Sequence, residues 1–135
     1  HLSIRRQRQM CIRDRATMAE AYKVCRLRGQ TLTPWQAFYL TTLGNARVLH
    51  QDGETGSFQP GRYADFVVLD PGATPALDMK QVYTTTLAET LFSLMILGDD
   101  RTIAATAVAG EVRYRRPQGA DQATPTTPSR TQGAR

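Results

Sequence analysis

At 135 residues the chain has room for one domain at most, and its hydrophobic fraction of 41% is on the low side for a globular protein. Its net charge of +5 sits at the ends: residues 1–15 hold five arginines against one aspartate (net +4), residues 115–135 four arginines against one aspartate (net +3), and residues 16–114 eight basic and ten acidic groups (net −2). A foldable middle without a basic face argues against specific nucleic-acid binding, and no apolar run reaches the ~18–20 residues of a membrane span.

Cys11 and Cys25 are the only cysteines. They form no CxxC pair and no disulfide framework, which suits a reducing, cytoplasmic compartment. Residues 1–15 show neither a helical nor a strand period and read as a disordered or non-native leader; QMCIRDR resembles translated adapter or vector sequence.

From residue 16 the pattern is regular. ATMAEAYKVCRLR predicts a helix, with Thr17 and Glu20 as a capping box, Gly29 as its stop, and Met18, Ala21, Tyr22 and Cys25 as one apolar stripe. A second helix starts at Thr33 as N-cap, with Pro34 in its first position and Gln36 completing a capping box. Trp35, Phe38, Tyr39, Leu40 and Leu43 read as its packing face, interrupted at Gly44-Asn45 before a short further turn over 46–49.

Asp52-Gly53 and Pro60-Gly61 are turn dipeptides. Phe66 to Leu69 is a short apolar run, as in a strand covered on both faces, and Pro71-Gly72 ends it. Residues 71–83 read as irregular loop. A third helix is expected over about 84–97, with Leu87, Leu91, Leu94 and Met95 on one stripe and Gly98 as its end. Residues 102–109, a turn at Gly110-Glu111 and residues 112–114 read as a β-hairpin. Residues 116–135 are rich in Pro, Thr, Gln and Gly and read as a disordered tail.

No catalytic constellation emerges. HxH, HExxH, PCxxC and GxSxG are all absent. His1 lies in the leader, and His50 has no second histidine to form a metal pair and reads as a capping or surface residue. Asp99-Asp100-Arg101 is the most site-like cluster; a capped turn with an internal ion pair is favoured over a metal or anion site. Asp65 and Asp70 flank the strand, five positions and ~16 Å apart on opposite faces, too far to share one metal. Both read as turn-organising acids that bond nearby backbone amides. The catalytic, substrate-binding and metal-ligand assignments are therefore none.

GSFQPGRYADFVVLD resembles a signature of the amidohydrolase superfamily, in which a glycine-spaced turn and Ala-Asp lead into an apolar strand ending in Asp. TIAATAVAGEVRY is similar to the closing strands of that family's small β-sandwich, and TPWQAFYLTTLGNARVL to the helix after its last barrel strand, with Asn45 where a small residue is usual. LFSLMILGDDRTIAATAVAGE narrows the resemblance to the guanine deaminase branch, in its C-terminal third; cytosine deaminase-like and triazine hydrolase-like members are the alternatives, and a small basic binding module is a more distant one.

The resemblance implies an α+β fragment: residues 16–50 as the terminal helices of a (β/α)8 barrel, and residues 51–115 as the C-terminal part of the sandwich with one helix. It implies a parent enzyme that hydrolyses guanine to xanthine and ammonia through a zinc-activated water. Its zinc ligands would lie before residue 16, so no zinc is expected on this chain alone. The implied partners are the missing N-terminal barrel and sandwich strands, and a homodimer. Strand 64–70 would then have an unpaired edge, and the helices would expose faces meant for the barrel.

Overall fold

The structure, a computed structural model, describes residues 16–117. The leader reading at 1–15 and residues 118–135 of the tail reading (116–135), with His1 and Cys11, lie outside the described residues; Arg116, read as the start of the tail, is instead bonded to Asp70 and to the Arg101 and Ala104 carbonyls. The elements in order are α1 (16–27), α2 (Pro34–Tyr39) running through a π-helical turn (Leu40–Gly44) into α3 (Asn45–Val48), β1 (Phe66–Leu69), α4 (Pro75–Gln81), α5 (Leu87–Leu97), a 3₁₀ turn (Asp100–Thr102), β2 (Ile103–Val108) and β3 (Glu111–Arg115).

Helix α1 already includes Ala16, so Thr17 lies inside the helix and is not its N-cap. The stop is as read: Gly29 takes φ 71, its N–H donates to the Arg26 carbonyl and the Gln30 N–H to the Cys25 carbonyl. That pair of bonds is a Schellman closure, which needs a left-handed residue.

Thr33 caps α2 through a full capping box with Gln36. The expected interruption at Gly44-Asn45 takes another form. The helix is unbroken there and absorbs the irregularity as the π-turn Leu40–Gly44, where the Thr41 and Thr42 hydroxyls donate to carbonyls of the preceding turn. The expected packing face is also redrawn. Ala37 is the buried residue of α2, Phe38 packs beside it, and Trp35, Tyr39 and Leu40 are exposed.

Met18, Leu32, Ala37 and Met95 form a core cluster joining α1, α2 and α5. Tyr22 meets Phe92 edge to face at 5.3 Å. Helix α5 begins at Thr86 with a capping box closed by Glu89. The Thr85 and Thr86 backbone amides hold the Glu89 carboxyl below its ordinary range. On the apolar stripe Leu94 and Met95 are buried, whereas Leu87 at the first turn is exposed.

Residues 75–81 are helical rather than loop. Thr74 caps α4 by accepting the Leu77 N–H, Pro75 occupies the first position, and Leu77 is fully buried. Its single buried residue leaves no periodic stripe to read, but Thr74-Pro75 repeats the start signal of Thr33-Pro34.

The three strands form one antiparallel sheet in the order β1-β2-β3. β1 has the expected bounds but not the expected burial: Val67 and Val68 are exposed. It pairs with β2 alone, so one edge is unpaired among the described residues. The hairpin turn is Ala109-Gly110, one residue earlier than Gly110-Glu111, because Val108 faces Glu111 across the ladder.

Candidate functional site

Three carboxylate arrangements, one helix terminus and one groove hold most of the residues singled out by sequence. Asp65 precedes β1. Its Oδ1 accepts the Ala109 N–H at 2.7 Å, and the neighbouring Ala64 carbonyl accepts the Gly110 N–H at 3.0 Å. The start of β1 is thus fastened to the tip of the β2–β3 hairpin, 44 residues further along the chain.

Asp70 follows β1. Its Oδ1 accepts the Gly72 N–H at 2.9 Å, the local turn bond expected of it, and its Oδ2 is paired with the Arg116 guanidinium. The Arg116 hydrogen bond, with the Gly72 amide second, holds the Asp70 carboxyl below its ordinary value against a smaller opposing effect of burial. Arg116 also donates to the Arg101 carbonyl at 2.6 Å, and its N–H to the Ala104 carbonyl at 2.8 Å. Asp70 keeps the expected local turn bond and adds a distant partner, whereas Asp65, expected to bond a nearby amide, bonds one 44 residues away; the two tie β1 to distant parts of the chain, one at each end.

Asp99 caps the 3₁₀ turn by accepting the Arg101 N–H at 2.9 Å, and its carboxylate pairs with the Arg101 side chain at 2.7 Å. This is the capped turn with an internal ion pair. His50 closes α3 with φ 55: its N–H donates to the Arg47 carbonyl and the Gln51 N–H to the Ala46 carbonyl. That is the Schellman closure again, with histidine where Gly29 stands after α1.

An open groove of about 660 Å³ lies between the α2–α3 helical stretch and the β1–β2 face, walled by Phe38, Leu49, Phe58, Phe66 and Val67. Asp65 is the one carboxylate on its wall, and it is engaged at the hairpin. The rest of the wall mixes apolar side chains with the hydroxyls and amides of Thr41, Thr42, Asn45, Gln51 and Ser57. Among the described residues no three His, Cys, Asp or Glu side chains are grouped to hold a metal ion, and no helix is long and apolar enough to cross a membrane.

The sequence matches the Amidohydrolase family over residues 8–114, so the chain belongs to that family. The match takes in residues 8–15 as well as the segment from 16 onward. Within the family, the chain is 47% identical over 100 residues to guanine deaminase of Escherichia coli (strain K12), covering 74% of this chain and 23% of that protein. The solved E. coli guanine deaminase superposes with a TM-score of 0.74 at 45% identity, over 77% of this chain and 24% of that one. A guanine deaminase structure from Bradyrhizobium japonicum gives a TM-score of 0.60 at 38% identity, over 64% and 20%. The chain spans about a quarter of the length of the relatives it matches.

The asparagine at 45 is accommodated within the continuous helical stretch from α2 to α3. The sequence reading missed the long-range partners of Asp65 and Asp70. The only local signal for them was that an acid stood at each end of a four-residue strand.

Proposed function

We propose that the chain is the C-terminal part of a guanine deaminase, an enzyme that hydrolyses guanine to xanthine and ammonia, and that this part carries no catalytic, substrate-binding or metal-ligating residue. The observation that carries the reading is the 47% identity to E. coli guanine deaminase, with a TM-score of 0.74 to the solved E. coli enzyme over nearly the same share of the chain. In this reading residues 16–50 are the last helices of the barrel, and residues 51–115 are the closing part of the accessory sandwich, with α4 and α5 inserted before the hairpin. A cytoplasmic homodimer is part of the same reading for the whole enzyme.

Zinc is the metal that the family resemblance implies, and the described residues do not fit it. His50 has no second histidine beside it, Asp65, Asp70 and Asp99 are bonded to backbone or arginine, and among the described residues no three candidate ligands converge. What the chain supplies is support: a sheet face and helical ends shaped to be covered. Both properties are expected of a segment that closes an enzyme around chemistry housed elsewhere.

The experiment has two arms. The purified 135-residue chain, given zinc and guanine, forms no xanthine; turnover at an enzymatic rate would refute the inactivity. A chimera of E. coli guanine deaminase, with residues 16–115 in place of its own matching segment, hydrolyses guanine. A folded, metal-loaded chimera that leaves guanine untouched would sink the parent assignment.

A further inference from the structure

The β2–β3 ladder changes register between Thr106 and Ala107. Ala105 faces Arg115 and Thr106 faces Tyr114, but Ala107 then faces Val112 and Val108 faces Glu111, which leaves Arg113 as an extra, bulged residue. Had the first two pairs simply continued, Ala107 would face Arg113, Val108 would face Val112, and the loop would be residues 109–111. Two turn solutions therefore compete for one sequence.

The observed two-residue loop needs left-handed backbone at both positions, with φ 51 at Ala109 and φ 79 at Gly110. Glycine adopts that region freely, while alanine adopts it at a cost and has no polar side chain to offset it locally. The three-residue alternative places a single residue there. That residue would be Glu111, which adopts the region at a cost like that of Ala109, so local backbone preference does not choose between the two loops.

What distinguishes the formed loop is where its amides go. The Ala109 N–H meets the Asp65 carboxylate at 2.7 Å, and the Gly110 N–H meets the Ala64 carbonyl at 3.0 Å. A hydrogen bond to a charged acceptor is among the stronger single contacts in a protein. We infer that Asp65 is a positioning residue which selects the hairpin register, by capturing the Ala109 amide in the two-residue turn. The register decides which side of the sheet Val112 shares: that of buried Ala107 as formed, or that of Val108 after a one-residue slip. The inference concerns this chain's own residues and does not depend on the parent activity.

The test measures amide hydrogen exchange and cross-strand NOEs on the full chain and on its Asp65→Ala, Asp65→Asn and Asp65→Ala/Ala109→Gly variants. Asp65→Ala is expected to speed exchange at Ala109 and Gly110 by about tenfold or more, and to replace the Ala107–Val112 contact by Val108–Val112. Asp65→Asn, which keeps an acceptor oxygen in place, retains the native contact. The double variant recovers it, because glycine at 109 removes the backbone cost that Asp65 offsets. Should Asp65→Ala fail to fold, recovery of the Ala107–Val112 contact in the double variant supports the inference, and failure of both overturns it. It is overturned equally if Asp65→Ala keeps the native contact, whatever its exchange rates.

Discussion

At the residue scale, two positions with left-handed backbone make opposite demands. His50 closes α3 at φ 55, where a Cβ is disfavoured and where glycine closes α1. Gly56, at φ 85, lies against the same helical stretch, and a Cβ there would come within 2.8 Å of Ala46 Cβ and 3.0 Å of Leu43 Cα. His50→Gly should therefore stabilise the chain by about 0.5–1 kcal/mol, and Gly56→Ala should destabilise it by about 1–3 kcal/mol. Urea midpoints at constant m-value read both, and equal effects of one sign would contradict the account.

Asp70 makes a different prediction, in pH. Its folded carboxyl titrates below the ordinary value because Arg116 and the Gly72 amide favour the charged form. A depressed carboxylate stabilises the fold fully above its unfolded pKa, and that contribution is lost as pH falls through the lower folded value. Stability should therefore fall in the acid range below about pH 4. Asp70→Asn should be less stable at neutral pH and flatter across that range. An Asp70→Asn variant with the same acid slope as the unchanged chain would remove Asp70 as the cause.

At the scale of elements, local codes and tertiary context separate cleanly. Thr33-Pro34 with Gln36, and Thr86 with Glu89, fix the starts of α2 and α5 through bonds spanning three residues; the first is the start expected from the sequence, while the second falls at Thr86 rather than about 84 and rests on a cap the apolar stripe did not reveal. Helix α4 carries the same Thr-Pro start but buries only Leu77, so its apolar period is too short to register. Its cap should matter more than usual for its length: Thr74 is 5% exposed, and its hydroxyl satisfies the Leu77 amide at the point of deepest burial. Thr74→Ala should cost about 1–2 kcal/mol, whereas Thr74→Ser should cost less. A loss no greater than at an uncapped surface threonine would show that α4 is held by Leu77 alone. Strand β1 shows the complementary limit. Four apolar residues fixed its length, but burial depends on what lies across each face. No local pattern could foretell that Val67 and Val68 would stay exposed, or that Asp65 would bond an amide 44 residues away.

At the scale of the whole molecule, the distribution of exposed apolar side chains is itself an observation about what the fold is built to meet. Leu40, Leu49 and Phe58 are 55, 59 and 82% exposed, and Leu49 and Phe58 stand on the wall of the groove. Covering a side chain of that size is worth roughly 1.5–3 kcal/mol. Two such side chains beside one groove, with Leu40 exposed on the same helical stretch, exceed the scattered apolar exposure of an ordinary surface. The chain in isolation should therefore bind a hydrophobic dye in its folded state and scatter light increasingly with concentration. Leu40→Ser, Leu49→Ser and Phe58→Ser together should suppress both signals while leaving the far-UV circular dichroism unchanged, because none of the three belongs to the buried core. Dye binding that persists in the triple variant would locate the uncovered surface elsewhere, at Val68 of β1 or the Met79–Tyr83 end of α4. A folded chain that binds no dye at all would mean that this side is covered from within the chain, and that the groove needs no partner.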